Sequence, residues 1–568
     1  MPRIIRWIWI ALLVAALSLR IFGLELAPLA PDEAAMALES ADAVQGSGWP
    51  QMVESPLLLM GNALLFSIFG AGDGIARLLP GLAGAGLVAL PLLWRRRLGN
   101  VGALVAAGIL ACSPLGLFAS RQVDATMLGL IGAALLLTAL ALDDADLPGD
   151  VPRSVLIAVG LALGLTGGPA FYMLLIPGLV AWGLYCWMVN GRLAFPFREW
   201  AVPALVGLVV ALLISVGLGL RLNGWSGIAD GLASWLGRGH VDRAGHPGAS
   251  LLLLYEPLTL FLALAGLGWT VARKDTFPLL AAAWAALTLL LVLVHPAASV
   301  LAWGTLIFPL ALLAGYGVQC MVADVAQPAL TWMLLQTAIG FIFWQPVGLA
   351  LAGHANAIAN PLPTVFLVLG ALVLLALHVL IAFLFVFVIP QPLIWRGIVL
   401  GLAAALLVLQ FGFAWALAFV HSSSPAELAI EVAGSPDLRT LCRMLDEIAV
   451  QRQQRRDTLS VTLVEGNTDV NAVMRWALRD FARVQIVPDW PTDMDGVVIT
   501  PEAFVPASAP MAGWEGMRFV ATTRATQVVP SCQTLFPPAC ADLARWYLYR
   551  TALPATVVPE YVILWMKP

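Results

Sequence analysis

The chain has 568 residues, of which 60% are hydrophobic and only 11% charged. Its mean hydropathy is +0.89, whereas a soluble chain carries about 25% charged residues. A sequence this apolar cannot cover itself with polar surface, which excludes a single soluble enzyme, an intrinsically disordered chain and a fibrous repeat. A net charge of −4 offers no basic footprint, so nucleic acid is not an expected partner.

The charge is unevenly placed. Asp, Glu, Lys and Arg number 35 in residues 1–420 and 29 in the much shorter stretch 421–568. Apolar runs of about 20 residues, enough to cross a bilayer, fall near 4–24, 76–94, 101–119, 122–142, 154–169, 170–189, 200–220, 251–272, 277–294, 299–322, 328–350, 362–389 and 395–420. They predict about thirteen transmembrane helices. The run 57–69 is too short to span and reads as an interfacial helix. The predicted fold is an all-α polytopic membrane domain over 1–420, with a first outer loop at 25–75, followed by a small α/β domain over 421–568.

The first outer loop carries Asp32, Glu33, Glu39, Asp42 and Glu54 and no basic residue between 27 and 56. Pro31 places Asp32 and Glu33 at a helix start, where the helix dipole favours anions. Glu54 stands two residues before Pro56 and the interfacial run, which would hold it at the bilayer surface. Carboxylates brought together there suit a general base and an electrostatic or metal partner; solvated loop polarity is the bland alternative. Arg121 lies between two spans with no aqueous loop to spare, so it needs a pairing partner such as Asp124, or a bound anion. Tyr255-Glu256-Pro257 opens a span, and Glu256 reads as a substrate contact or as the partner of a loop arginine.

Orientation follows the arginines. An inner N-terminus assigns Arg3, Arg6, Arg95, Arg96, Arg97, Arg153, Arg192, Arg198, Arg273, Lys274 and Arg396 to inner loops. Arg77, Arg121, Arg221, Arg238 and Arg243 then lie outside. The acidic loop 143–150 dissents from this pattern. Thirteen spans put the tail outside the cytoplasm, in a multi-pass plasma-membrane protein. In that tail, residues 435–453 begin at a Ser-Pro cap with helical apolar spacing, and VTLVEG and DGVVIT read as strands. Cys532 and Cys540 are spaced for a short disulfide loop in an oxidising compartment. Cys112, Cys186 and Cys320 read as small hydrophobes in apolar runs.

The order of motifs resembles the GT-C integral-membrane glycosyltransferases. It runs Asp32-Glu33, Glu54-Ser55-Pro56, then Gly70-Ala-Gly-Asp73 with Arg77-Leu-Leu-Pro80, Arg96-Arg97-Leu98-Gly99 and Ser113-Pro114 before Ser120-Arg121. The likeness is to the protein O-mannosyltransferase and aminoarabinose-transferase branch. Tyr255-Glu256-Pro257 and Arg475-Trp-Ala-Leu-Arg479-Asp480 are closer to the flippase-activity-associated proteins. The resemblance implies transfer of a sugar from a polyprenyl-phosphate donor to an acceptor at the outer membrane face, with membrane lipid and a membrane protein as further partners. It implies Asp32 as catalytic base, with Glu54 and Glu33 as the other catalytic acids. Arg77, Arg121, Arg238, Arg243, Tyr255 and Glu256 would contact substrate. A divalent cation held in part by Glu54 is the one cofactor it allows. Where relatives often carry lysine, this chain has Ser55 and Gly167, so phosphate contacts would fall to Arg221, Arg238 and Arg243 in the loop 221–250. These departures also motivate two other readings: a non-catalytic subunit on a transferase scaffold, or an accessory to lipid-linked-sugar flipping.

Overall fold

The computed structural model describes residues 3–566 apart from 47–48, 51, 150, 193–196, 220–221, 238–249, 296–298, 327, 357–360, 388–389, 425–426, 453, 489–495, 506–513, 528–545, 548–549 and 551–554. Each of the thirteen apolar runs falls on helix. Among the described residues, seven helices are long and apolar enough to cross a membrane: Arg3–Ile21, Asp73–Leu92, Ala170–Val189, Phe197–Ser215, Phe277–Val294, Val300–Val322 and Gln391–Val420. Shorter apolar helices at Thr126–Ala141, Arg153–Thr166, Pro257–Arg273, Ala329–Gln345 and Leu369–Phe385 pack among them. A helix satisfies its own backbone, which is the condition for crossing lipid.

Two of the predicted runs are broken at a proline. Residues 101–119 become Arg95–Cys112 and Pro114–Ala119. Pro114 cannot continue the ladder, and the Ser113 hydroxyl caps the new helix by accepting the Gly116 N–H at 2.9 Å. Residues 251–272 become Ser250–Tyr255 and Pro257–Arg273, broken at Glu256. The helix Thr126–Ala141 is almost wholly buried. It meets Arg153–Thr166 through glycine: a Cβ on Gly132 would stand 2.4 Å from the Gly164 nitrogen. Such backbone approach is how membrane helices gain packing where lipid supplies no hydrophobic drive.

The dissenting acidic loop has a local cause. Arg97 pairs with Asp146 at 2.6 Å, and Arg96 donates to the Ala145 carbonyl. The loop therefore neutralises the arginine cluster at its own end of the helix bundle.

The tail is a six-stranded sheet in the order β1-β5-β6-β4-β2-β3. The strands are β1 (Val432–Gly434), β2 (Ser460–Val464), β3 (Arg483–Val487), β4 (Val497–Pro501), β5 (Glu515–Gln527) and β6 (Ala555–Met566). β2 runs parallel to β3 and β4, and the remaining pairs are antiparallel. The helix Thr468–Ala477 carries the crossover from β2 to β3, as a parallel pair requires. Val461, Leu463, Val497 and Ile499 of the sheet and Leu441, Leu445 and Ile448 of the helix Asp437–Gln451 are all buried in one hydrophobic core.

Candidate active site

The first outer loop folds into two helices. Pro31–Gln45 begins at the predicted proline, and Pro56–Phe69 begins at the other. Glu33, in the first turn, accepts the Ala30 N–H at 3.0 Å and closes a capping box without a hydroxyl at the cap. Its carboxylate also takes Arg77 Nε at 2.8 Å, Arg77 Nη2 at 2.6 Å and the Val123 N–H at 2.7 Å. Arg77 spends its other N–H groups on the carbonyls of Leu24, Ala27 and Pro28. All five guanidinium donors and all four carboxylate lone pairs are thereby used.

This corrects the expectation for both residues. Glu33 and Arg77 form a buried pin, 4% and 3% exposed, with no donor over for a phosphate and no lone pair over for a proton. The sequence signal was the acid's place at a helix start, which a base and a cap share.

Arg121 is likewise a clamp. It donates to the carbonyls of Leu19 at 2.9 Å, Phe22 at 2.8 Å and Gly23 at 2.9 Å, at the end of the first span, and lies over the Phe419 ring at 4.4 Å. These are the orphan carbonyls of a helix C-terminus, where a cation is favoured. Burial and the nearby Arg77 push its guanidinium down to about 10, so it stays charged at neutral pH. It does not use Asp124 as its partner: Asp124 accepts the Thr126 N–H at 2.6 Å and caps the next helix.

Tyr255 and Glu256 also turn inward. The Tyr255 hydroxyl donates to Glu427 at 2.5 Å, and Arg550 of the tail pairs with Glu427 at 3.4 Å. Arg550 stacks over Tyr255, Phe413 and Trp546. Glu256, fully buried, accepts from the Ser113 and Thr259 hydroxyls, the Leu115 N–H and Gln410 Nε2. It ties together three helices and the proline break.

Glu54 and Asp124 line one solvent-open cavity of about 60 Å³, with Met36, Thr126, Ser234, Trp235 and His295 among the wall residues. Asp32 stands one turn before the wall residue Met36 on the same helix, and its charge acts on Asp124. Glu33 links the two acids, since its own carboxylate fastens Val123 beside Asp124.

Ser55 explains why Glu54 is held. Its hydroxyl caps the helix Pro56–Phe69 by accepting the Leu58 N–H at 3.2 Å and donates to the Thr166 carbonyl at 2.8 Å. No side chain fits at Gly167, where a Cβ would lie 2.7 Å from the Gly129 nitrogen.

The helix Gly227–Gly237, within the loop 221–250, contributes Ser234 and Trp235 to the cavity wall. Its Asp230 accepts the Val53 N–H at 3.2 Å, and a Cβ on Gly231 would stand 3.0 Å from the Glu54 carbonyl. Arg221, Arg238 and Arg243 lie outside the described residues. Asp124 and His295 are cavity residues that sequence reasoning missed. The sequence suggests Asp124 as a partner for Arg121 and gives His295 no role, and only the turn at 120–125 and the stacking of His295 on Trp235 place them here. Among the described residues no three His, Cys, Asp or Glu side chains converge as a metal site requires.

No family model matches the chain, and no curated protein is similar in sequence. Solved structures of ArnT from Cupriavidus metallidurans do match in shape. The structure bound to undecaprenyl phosphate aligns at a TM-score of 0.54 and 16% identity, over 87% of this chain and 93% of that one. The apo structure aligns at 0.53 and 17%, over the same shares. The fold is GT-C-like. The match extends over most of both chains, so the fold likeness is not confined to a few helices.

Proposed function

We propose that the protein is a membrane glycosyltransferase that takes a sugar from a polyprenyl-phosphate donor and passes it to an acceptor in the cavity of Asp32, Glu54 and Asp124. The observation that carries this reading is the convergence of Glu54 and Asp124 on one solvent-open cavity, with Asp32 one turn before its wall residue Met36, in a GT-C-like fold. The ArnT structure bound to undecaprenyl phosphate supports the lipid class.

In the proposed step an acceptor hydroxyl or amine attacks the anomeric carbon while the carbon–oxygen bond to the phosphate breaks. The bond pair leaves with polyprenyl phosphate, and the acceptor proton passes to Asp32. Glu54 and Asp124 orient the acceptor and stabilise positive charge at the sugar ring. The phosphate would meet Arg221, Arg238 and Arg243, because Arg77 and Arg121 are spent on Glu33 and on backbone carbonyls. Glu33 and Arg77 position Asp32 and take no part in proton transfer.

The reading includes an inner N-terminus and an outer tail. The span Asp73–Leu92 has 20 residues, which at 1.5 Å each separates Asp73, where the tail docks, from Arg95–Arg97 by about 30 Å. The arginine cluster thus lies at the end remote from the tail, as the positive-inside rule asks.

The test is release of bare lipid phosphate from a panel of undecaprenyl-phosphate-linked sugars by the full chain in nanodiscs. Asp32→Asn should lower turnover at least about 100-fold with thermal stability unchanged. Turnover equal to wild type would remove the carboxylate mechanism. The commitment of Arg77 and Arg121 also favours a second reading, a non-catalytic subunit on this scaffold. It predicts no turnover by the wild type and co-purification with a stable partner.

A further inference from the structure

Two hydrogen-bonding groups in the acidic cavity lack a partner. Ser234 is 4% exposed, and neither its hydroxyl nor the buried Nε1 of Trp235 makes a hydrogen bond. Hydroxyls on helices ordinarily bond back to a carbonyl one turn earlier. Ser40, Thr138, Thr166, Thr270 and Thr288 all do so here, at 2.6–3.1 Å. Ser234 does not. A buried polar group without a partner costs about 1–3 kcal/mol, and native structures retain few of them without a ligand, water or strain to account for them.

Their placement is fixed by neighbouring contacts. Gly231 presses its backbone against the Glu54 carbonyl, and Ser234 and Trp235 follow it by three and four residues, on the same helix face. Trp235 is held by Tyr172, with ring centroids 6.1 Å apart, and by His295, stacked at 5.0 Å and 23°. The indole N–H is therefore a preorganised donor of a residue lining the same cavity as Glu54 and Asp124.

We propose that Ser234 and Trp235 form a subsite for a polyhydroxylated ring, the sugar that the lipid donor presents, and set sugar specificity. The inference rests on the transferase reading. Three ligand classes can be compared for a cavity whose wall combines carboxylates with an N–H and a hydroxyl. A prenyl chain would leave both polar groups unpaired. A phosphate would meet the carboxylates as a like charge, which is unfavourable. A sugar ring satisfies every group at once, since each hydroxyl can donate to Glu54 or Asp124 and accept from Ser234 Oγ or Trp235 Nε1.

The experiment compares wild type, Ser234→Ala and Trp235→Phe as full chains in nanodiscs. Affinity is measured for undecaprenyl-phosphate-linked mannose and arabinose and for bare undecaprenyl phosphate. Wild type should prefer one sugar-bearing lipid over the bare lipid. Each variant should cut that preference about 5–10-fold, the worth of one neutral hydrogen bond, with bare-lipid affinity unchanged. A parallel arm titrates methyl glycosides in the presence of bare lipid. Weakening confined to that arm would place the acceptor's sugar in the subsite and overturn the donor assignment. A sugar preference untouched in both variants and both arms, or an equal loss for all lipids, would overturn the proposal and leave water as the occupant. Wild type that binds neither kind of lipid would overturn the transferase reading with it.

Discussion

At the scale of single residues, position in the sequence identified acids and arginines but not their employment. Glu33 and Asp32 are neighbours at one helix start, yet one is buried in a four-bond pin and the other is exposed. The pin makes a sharp prediction. Arg77→Leu leaves the Glu33 carboxylate buried and unpaired, which costs about 3–5 kcal/mol. The double variant Glu33→Leu with Arg77→Leu should recover part of that loss. Thermal unfolding in detergent checks both, and a single variant as stable as wild type would refute the pin. Cys442 offers a pH test in the tail. Burial, before any nearby charge, raises its thiol to about 11 from an ordinary 9.0. The folded chain should therefore carry roughly 100-fold less thiolate at Cys442 than an exposed cysteine, and site-resolved alkylation near pH 8 should be slow until the tail is unfolded. The folded state holds this proton more tightly, so its contribution to stability is complete below about pH 9 and declines as pH rises toward 11.

At the scale of elements, apolar length was legible because a bilayer imposes it, and all thirteen runs are helical. The breaks at Pro114 and Pro257 were readable in principle, since proline removes a donor and clashes with the preceding turn. Close helix packing was not, because a glycine in an apolar run looks the same whether it faces lipid or another backbone. Gly132→Ala should cost about 1–3 kcal/mol by overpacking against Gly164. Gly108→Ala, with nothing within 4 Å of the added Cβ, should gain about 0.4–1 kcal/mol. Melting temperatures of the two variants moving in the same direction would contradict this account. Ser55→Ala should cost about 1 kcal/mol through its lost helix cap.

At the scale of the whole molecule, the tail is a clamp on the first outer loop. Asp73 accepts Trp476 Nε1 at 2.8 Å and Arg439 at 3.1 Å, Arg479 donates to the Ala71 carbonyl at 3.2 Å, and Arg475 pairs with Asp42 at 3.6 Å. The tail motif Arg475-Trp476-Ala-Leu-Arg479 thus grips the loop whose other end presents Asp32. Asp73→Lys sets a cation against Arg439 and removes the indole's acceptor. It should speed hydrogen exchange across 468–477 and expose the tail to protease, whereas unchanged exchange would show that the clamp rests elsewhere. Helical spans, the strands β2 and β4 and the acidic character of the first loop were decided by the sequence alone, because length, hydropathy and proline placement act locally. Which acids share a cavity was decided only by tertiary structure. Glu54 and Asp124 are 70 positions apart in the chain, and the Glu33–Arg77 pin, the Ser55 cap and the seating of Gly231 on Glu54 bring their walls together. A side chain's partners are set by folding distant segments to within a few ångströms, and no local pattern in a single sequence records that distance.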